Sequence, residues 1–303
     1  MASYRSGLLT PPREEEERRV FRPVWRSLII ENTVMIGIMV ALFVAQAFIG
    51  IPVPARLRLP LNLLVATMPV ILWVIFSVAN ERSFPQPRPY LVTVAALCAL
   101  VARAIGEPLI IEFLQIETWL PLAPALNRIV GYAFTVGIVE CGLCYLVVRA
   151  VIWPRFVRDR HDVIAYMAAA AVGYTFVGNI GFALNGQPLA YVVSLNTFAN
   201  VSALTLTMLF IGYGMAGTLF DAAGVLLQPI TLAIAALVMG IVLPLRSGFL
   251  NASFGVAGTS LPRYLFGIGF SIVLFVAGVF VVSFLFRFAE RQAKERELGE
   301  VDF

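Results

Sequence analysis

The chain has 303 residues, 60% of them hydrophobic and 13% charged, with mean hydropathy +0.88. Soluble domains carry about 25% charged and about 45–50% apolar residues, so this chain cannot cover a water-facing surface; a soluble enzyme and a disordered segment are both excluded. The formal net charge of +4 follows the loops between apolar runs, which makes it a topological signal and not a nucleic-acid footprint.

At about 20 apolar residues per crossing, the predicted fold is all-α: a polytopic transmembrane helix bundle of about eight spans with both termini cytoplasmic. Residues 1–27 read as a cytoplasmic or interfacial N-terminal helix, with Glu14–Arg18 and Glu15–Arg19 at the favourable i, i+4 spacing. The first apolar run, 28–50, is long enough to span and is preceded by a polar stretch, unlike a signal peptide. Its Glu31-Asn32 pair is expected near headgroups and water at the entry end. Further spans are predicted at 60–79 and 90–106, completing an N-terminal transmembrane segment over 28–128. Within it, 107–120, with Glu107, Glu112, Glu117 and Trp119, reads as an interfacial helix or hairpin. Spans at 129–153, 163–184, 191–216 and 226–250 build a core over 129–255. The last span, 263–287, and a charged tail complete 256–303.

Orientation follows from Lys and Arg in the loops. With a cytoplasmic N-terminus, 16 basic residues fall inside and 6 outside. The expected location is a membrane, the bacterial inner membrane in particular. The expected partners are membrane lipids and other integral membrane proteins, with no nucleic acid.

Ionisable groups at membrane depth cost at least about 2.5–3.5 kcal/mol. Glu140 lies near the midplane of the fourth span, with Gly137 one turn earlier and Gly142 beside it. Small residues let another helix approach closely, so Glu140 is expected to face the bundle interior, either as a hydrogen-bonded neutral acid or as a functional group. Polar residues recur on the next helices: Tyr174, Asn179, Asn196, Asn200, Ser202 and Asn251 among them. That pattern fits a buried site or ordinary interhelical hydrogen bonding. Cys141 and Cys144 form a CxxC, which on a membrane helix reads as polarizable packing ahead of redox or metal chemistry. The single His161 sits at the start of the fifth span, too far along the chain to join them. No cofactor and no metal is expected.

Four of these helices resemble the core of the PrsW-type intramembrane protease family, relatives of the membrane CAAX-type proteases. Where the family shows Gly-x-x-Glu-Glu-x-x-Lys, this chain has Gly137-Ile138-Val139-Glu140-Cys141-Gly142-Leu143-Cys144; the first Glu is kept, the second is Cys141 and the Lys is Cys144. An Asp and an Ala-rich span follow, as Asp162 and Ala168-Ala169-Ala170-Ala171, and the family's Glu-Asn becomes Gly178-Asn179. Gly212-Tyr213-Gly214 matches the ending of the next family helix, with Ser202 about where its His stands. The family's final His-Gly-x-x-Asn becomes Ser247-Gly248-Phe249-Leu250-Asn251.

In the family, glutamates and histidines are thought to activate water. Here the resemblance implies a protease fold stripped of most of that apparatus. The expected function is a non-catalytic PrsW-like scaffold or accessory subunit of a larger membrane complex, of a bioenergetic kind in one version. The alternatives are an intramembrane endopeptidase using Glu140 with Asn179 and Asn251, or a transporter or lipid-binding protein lined by the same polar groups.

Overall fold

The computed structural model describes residues 24–82, 87–186, 188–220, 224, 226–251 and 263–299, without the side chains of 125, 245–251, 263–268, 271 and 289–299. The described residues are helical, with no strand among them. Eight rods follow one another: α1 (Val24–Phe48), α2 (Ala55–Glu81), α3 (91–113), α4 (Leu126–Val151), α5 (Arg160–Leu184), α6 (Ala190–Phe220), α7 (Leu227–Asn251) and α8 (Arg263–Gly299). Seven of them are long and apolar enough to cross a membrane, and α8 carries a described apolar stretch at Ile272–Phe288.

Contacts at the helix ends fix an up-and-down arrangement. Trp25 meets Phe286 edge-on at 6.0 Å, and Tyr213 and His161 lie 5.6 and 6.3 Å from the same ring. Arg88 bonds to Asp162, and Tyr145 to Gln228. The starts of α1, α3, α5 and α7 and the ends of α2, α4, α6 and α8 therefore share one end of the bundle, called here the near face. At the far face Gln46 accepts the Tyr191 N–H and Asn62 donates to the Pro188 carbonyl.

Two helices form the centre. The spans of α5 and α6 are 78% and 72% buried, against 28–33% for the other five, those of α1–α4 and α7. The sequence dictates this: α5 presents the run Ala168–Ala171, all buried, and then Gly173, whose Cα lies directly against the Ala95 backbone of α3. Small residues allow that closeness and gain dispersion contacts in return. The same device joins α4 to α7, where Gly137 abuts the backbone of Ala236 and Gly240 abuts Ile129 and Ala133. The close approach expected beside Glu140 is thus present, with α7 as the approaching helix.

Two expectations need correction. The segment 107–120 does not begin a separate interfacial element, because α3 continues to Phe113 through wide π-helical turns at Ala102–Gly106 and Leu109–Phe113. Glu107 is neutralised on its own helix by Arg103, an i, i+4 ion pair, and the two wide turns flank Pro108, which lacks an N–H to give. The break comes at Gln115, in the left-handed region at φ 47°, before short turns at Ile116–Trp119 and Leu120–Leu122. Secondly, Glu31 and Asn32, though about two turns from the start of α1, are buried inside the bundle, at 5% and 3% exposure.

Candidate functional site

Glu140 sits half-buried on α4, eleven residues before Val151, about 16 Å from the near end at 1.5 Å per residue. Its carboxyl is within electrostatic reach of Cys141, Cys144 and the Tyr174 hydroxyl, and Glu107 also acts on Tyr174. Tyr174 reaches across from α5 to α3, where a side chain at Gly106 would collide with its hydroxyl. Glu140, Tyr174 and Glu107 thus gather where α3, α4 and α5 meet. The sequence marks Tyr174 as a polar residue of the fifth span and Glu107 as part of an interfacial segment, but carries no signal of their association with Glu140, which depends on the long α3 and on the glycine at 106.

Cys98, Cys141 and Cys144 are free thiols, all fully buried. Cys144 lies within hydrogen-bonding reach of Cys98, and its Sγ is 4.0 Å from the Ala170 carbonyl. These cysteines pack α3 and α4 on the alanine run of α5. Among the described residues no group of three or more His, Cys, Asp or Glu side chains is placed to hold a metal ion.

Asn179 belongs to another interface. Its Oδ1 accepts from Asn200 of α6 at 2.9 Å, and its Nδ2 is buried with no partner. Tyr174 and Asn179 are five residues apart on one helix, about 140° around its axis, so Asn179 turns toward α6 while Tyr174 turns toward α3. Asn179 is thus not on the face of α5 that Tyr174 turns toward Glu140. Gly178 is exposed, and a side chain there would meet nothing within 4 Å. Ser202 is fully buried and donates to the Ala199 carbonyl of its own helix; Ser194, Thr207 and Thr218 do likewise. Much of the polar character of α6 is consumed this way and lines no site. The side chains of Ser247 and Asn251 lie outside the described residues; the backbone there is the end of α7.

The densest polar constellation is elsewhere, at the near face. Arg88 is 7% exposed, Glu81 6% and Asp162 1%. The Arg88 Nη1 donates to Glu81 Oε2 at 2.7 Å, its Nε to Asp162 Oδ1 at 2.6 Å, and its backbone N–H to Glu81 Oε1 at 2.8 Å. Asp162 Oδ2 accepts the N–H groups of Arg158 and Asp159, satisfying the start of α5. Tyr166 donates to the Pro89 carbonyl, and Tyr90, left-handed at φ 62°, packs on Phe156 at 4.9 Å. Arg88 is therefore a hub that fastens the α2–α3 connection to α5. The sequence showed Asp162 only as a family-like position; the seven- and 74-residue separations of the hub leave no local signature.

Beside the hub, burial pushes the Asp159 carboxyl up, but the hydrogen bond and positive charge of His161, with backbone N–H groups of His161 and Arg160, outweigh it and hold it below its usual value. A depressed carboxyl contributes stability that is present above its unfolded pKa and is lost as pH falls through the folded one. His161→Asn is expected to move that acid loss to higher pH. Thermal unfolding in detergent, followed on the acid limb for both proteins, reads the shift; superimposable limbs would disprove it.

Chemically, the α3–α4–α5 group brings the Glu140 and Glu107 carboxyls within electrostatic range of the Tyr174 phenol, whereas the near-face hub is a structural clamp. Comparison of the chain with protein-family models, with curated proteins and with solved structures finds no match.

Proposed function

We propose that this chain is a non-catalytic PrsW-like protein of the bacterial inner membrane, serving as a scaffold or accessory subunit of a larger membrane complex. The observation that carries the reading is the environment of the positions aligned with family catalytic groups. Gly178 opens outward, Ser202 is spent on its own helix, and Cys141 and Cys144 are sealed among apolar side chains. Water activation needs a base beside a bound water with donors around it, and these side chains offer none of those roles. The near face is the cytoplasmic one in this reading. Among residues with described side chains it carries eight arginines against three carboxylates, and the far face four against three, the asymmetry expected of the positive-inside rule.

Mass spectrometry of the protein purified from native membranes in mild detergent tests this directly. Other integral membrane proteins are expected in stable stoichiometric amounts. A monomer without a retained partner would refute the proposal.

A second reading, an intramembrane peptidase, draws on the placement of Tyr174 and Glu107 about Glu140. It requires cleavage of a membrane peptide by the wild type and loss of turnover in Glu140→Gln; unchanged turnover eliminates it.

A further inference from the structure

A cavity of about 30 Å³ opens at the near face between α1, α2 and α5, bordered by Ser77, Glu81 and Arg88 among apolar side chains that include Leu28, Trp73 and Phe76. One water needs about 10–15 Å³ of such volume and two to four polar partners, so the cavity has room for about two.

Its walls carry unmet hydrogen-bonding capacity. The Arg88 guanidinium has used Nε and Nη1 on its two carboxylates, and Nη2 is buried with no partner. A buried guanidinium N–H without an acceptor costs about 1–3 kcal/mol or more, which a water in the cavity would recover. A bound anion does not fit, because Glu81 and Asp162 already exceed the charge of Arg88. On the opposite side Ser77 donates its hydroxyl to Glu31 Oε1, leaving its lone pairs to accept from a water. Donor, acceptor and space thus line up from Arg88 toward Glu31, which lies seven residues into α1, about 10 Å from the near end.

We propose that this cavity is a water-binding site joining Arg88 through Ser77 to Glu31, and that Glu31 is a proton-binding group in exchange with the aqueous phase of the near face alone. Its side-chain partner is Ser77; the charged groups on the cavity are Glu81 from α2 and Arg88 from the α2–α3 connection, with Asp162 of α5 bonded to Arg88. Toward α6 and α8 the α1 surface meets Leu195, Phe198 and Phe275, with Tyr191 further toward the far face. The apolar seal on that side supplies the one-sidedness. This inference is independent of the proposed scaffold role, and either can fail without the other.

Infrared difference spectroscopy of the protein in phosphatidylcholine vesicles, titrated from mildly acidic to mildly alkaline and then transferred to D₂O, tests it. A protonated-carboxyl C=O band is expected that Glu31→Gln abolishes and Glu140→Gln leaves in place. It should shift promptly on deuteration, whereas Ser77→Leu, which fills the cavity, should leave the band but block its shift. Ser77→Ala, a smaller change in case the leucine prevents folding, should raise the band frequency through loss of the donor. A spectrum indifferent to Glu31→Gln, a Ser77→Leu band that deuterates as fast as the wild type, or a Ser77→Ala band that stays put would each overturn the proposal.

Discussion

Arg88→Ala is expected to destabilise the protein by about 3–5 kcal/mol, the usual cost of removing one partner from a buried ionic group. The single change abolishes both hydrogen bonds of the side chain and leaves Glu81 and Asp162, both under 10% exposed, without their shared cation. The damage extends beyond the pair, because Asp162 also accepts the N–H groups of Asp159, the residue that caps α5, and of Arg158 before it, and the Arg88 backbone is tied to Glu81. Arg88→Lys should recover only part of the loss, since an ammonium cannot present Nε and Nη1 to two carboxylates at fixed angles. The decisive comparison is Arg88→Ala combined with Glu81→Gln and Asp162→Asn, which removes the stranded charges yet keeps acceptors for the α5 start. Melting temperatures in one detergent should rank wild type highest, then the triple variant, then Arg88→Ala. A triple variant no better than the single one would assign the cost to lost packing and not to unpaired charge.

That this clamp escaped the sequence while the eight rods did not has a physical reason. Apolar runs of spanning length announce themselves because every residue of a run carries the same signal. An ion pair between residues 74 apart carries none, since many chain foldings would satisfy Arg88 equally well. Glu140 illustrates an intermediate case. Its glycine neighbours foretold the close helix at Gly137, which is a local packing requirement, but not the companionship of Tyr174 and Glu107, which depends on how far α3 continues. That continuation was itself obscured by Glu107 and Pro108, which read as helix-ending signals until Arg103 and the two π-helical turns are seen to absorb them. On α6, residue type misled in the opposite direction. Ser202 and Thr207 look like lining for a polar site, but each returns its hydroxyl to a carbonyl three residues back. Glu31 and Asn32 lie near the end of α1, as their place in the apolar run implies, but position along a helix carries no signal of sideways burial, which here comes from α2 and α6 packing on α1.

The second large effect is expected at Gly173. A Cβ at this position would fall on the carbonyl group and Cα of Ala95, all three nearest atoms being backbone. A flexible side chain could swing aside; a helix backbone can yield only if α3 and α5 move apart. Such separation would pull at Cys98, Cys144 and Ala170, the fully buried contacts around the same crossing. Gly173→Ala should therefore cost about 1–3 kcal/mol, as overpacking does, despite the better helix propensity of alanine, and Gly173→Leu should prevent stable assembly. Gly178 on the same helix is the natural control. It is exposed and has nothing within 4 Å of an added Cβ, so Gly178→Ala should change stability by no more than about 1 kcal/mol and in the favourable direction. Thermal unfolding of the two alanine variants side by side measures the contrast. Equal stability would mean that α3 and α5 are not in backbone contact at Gly173, and the central packing described above would have to be abandoned with it.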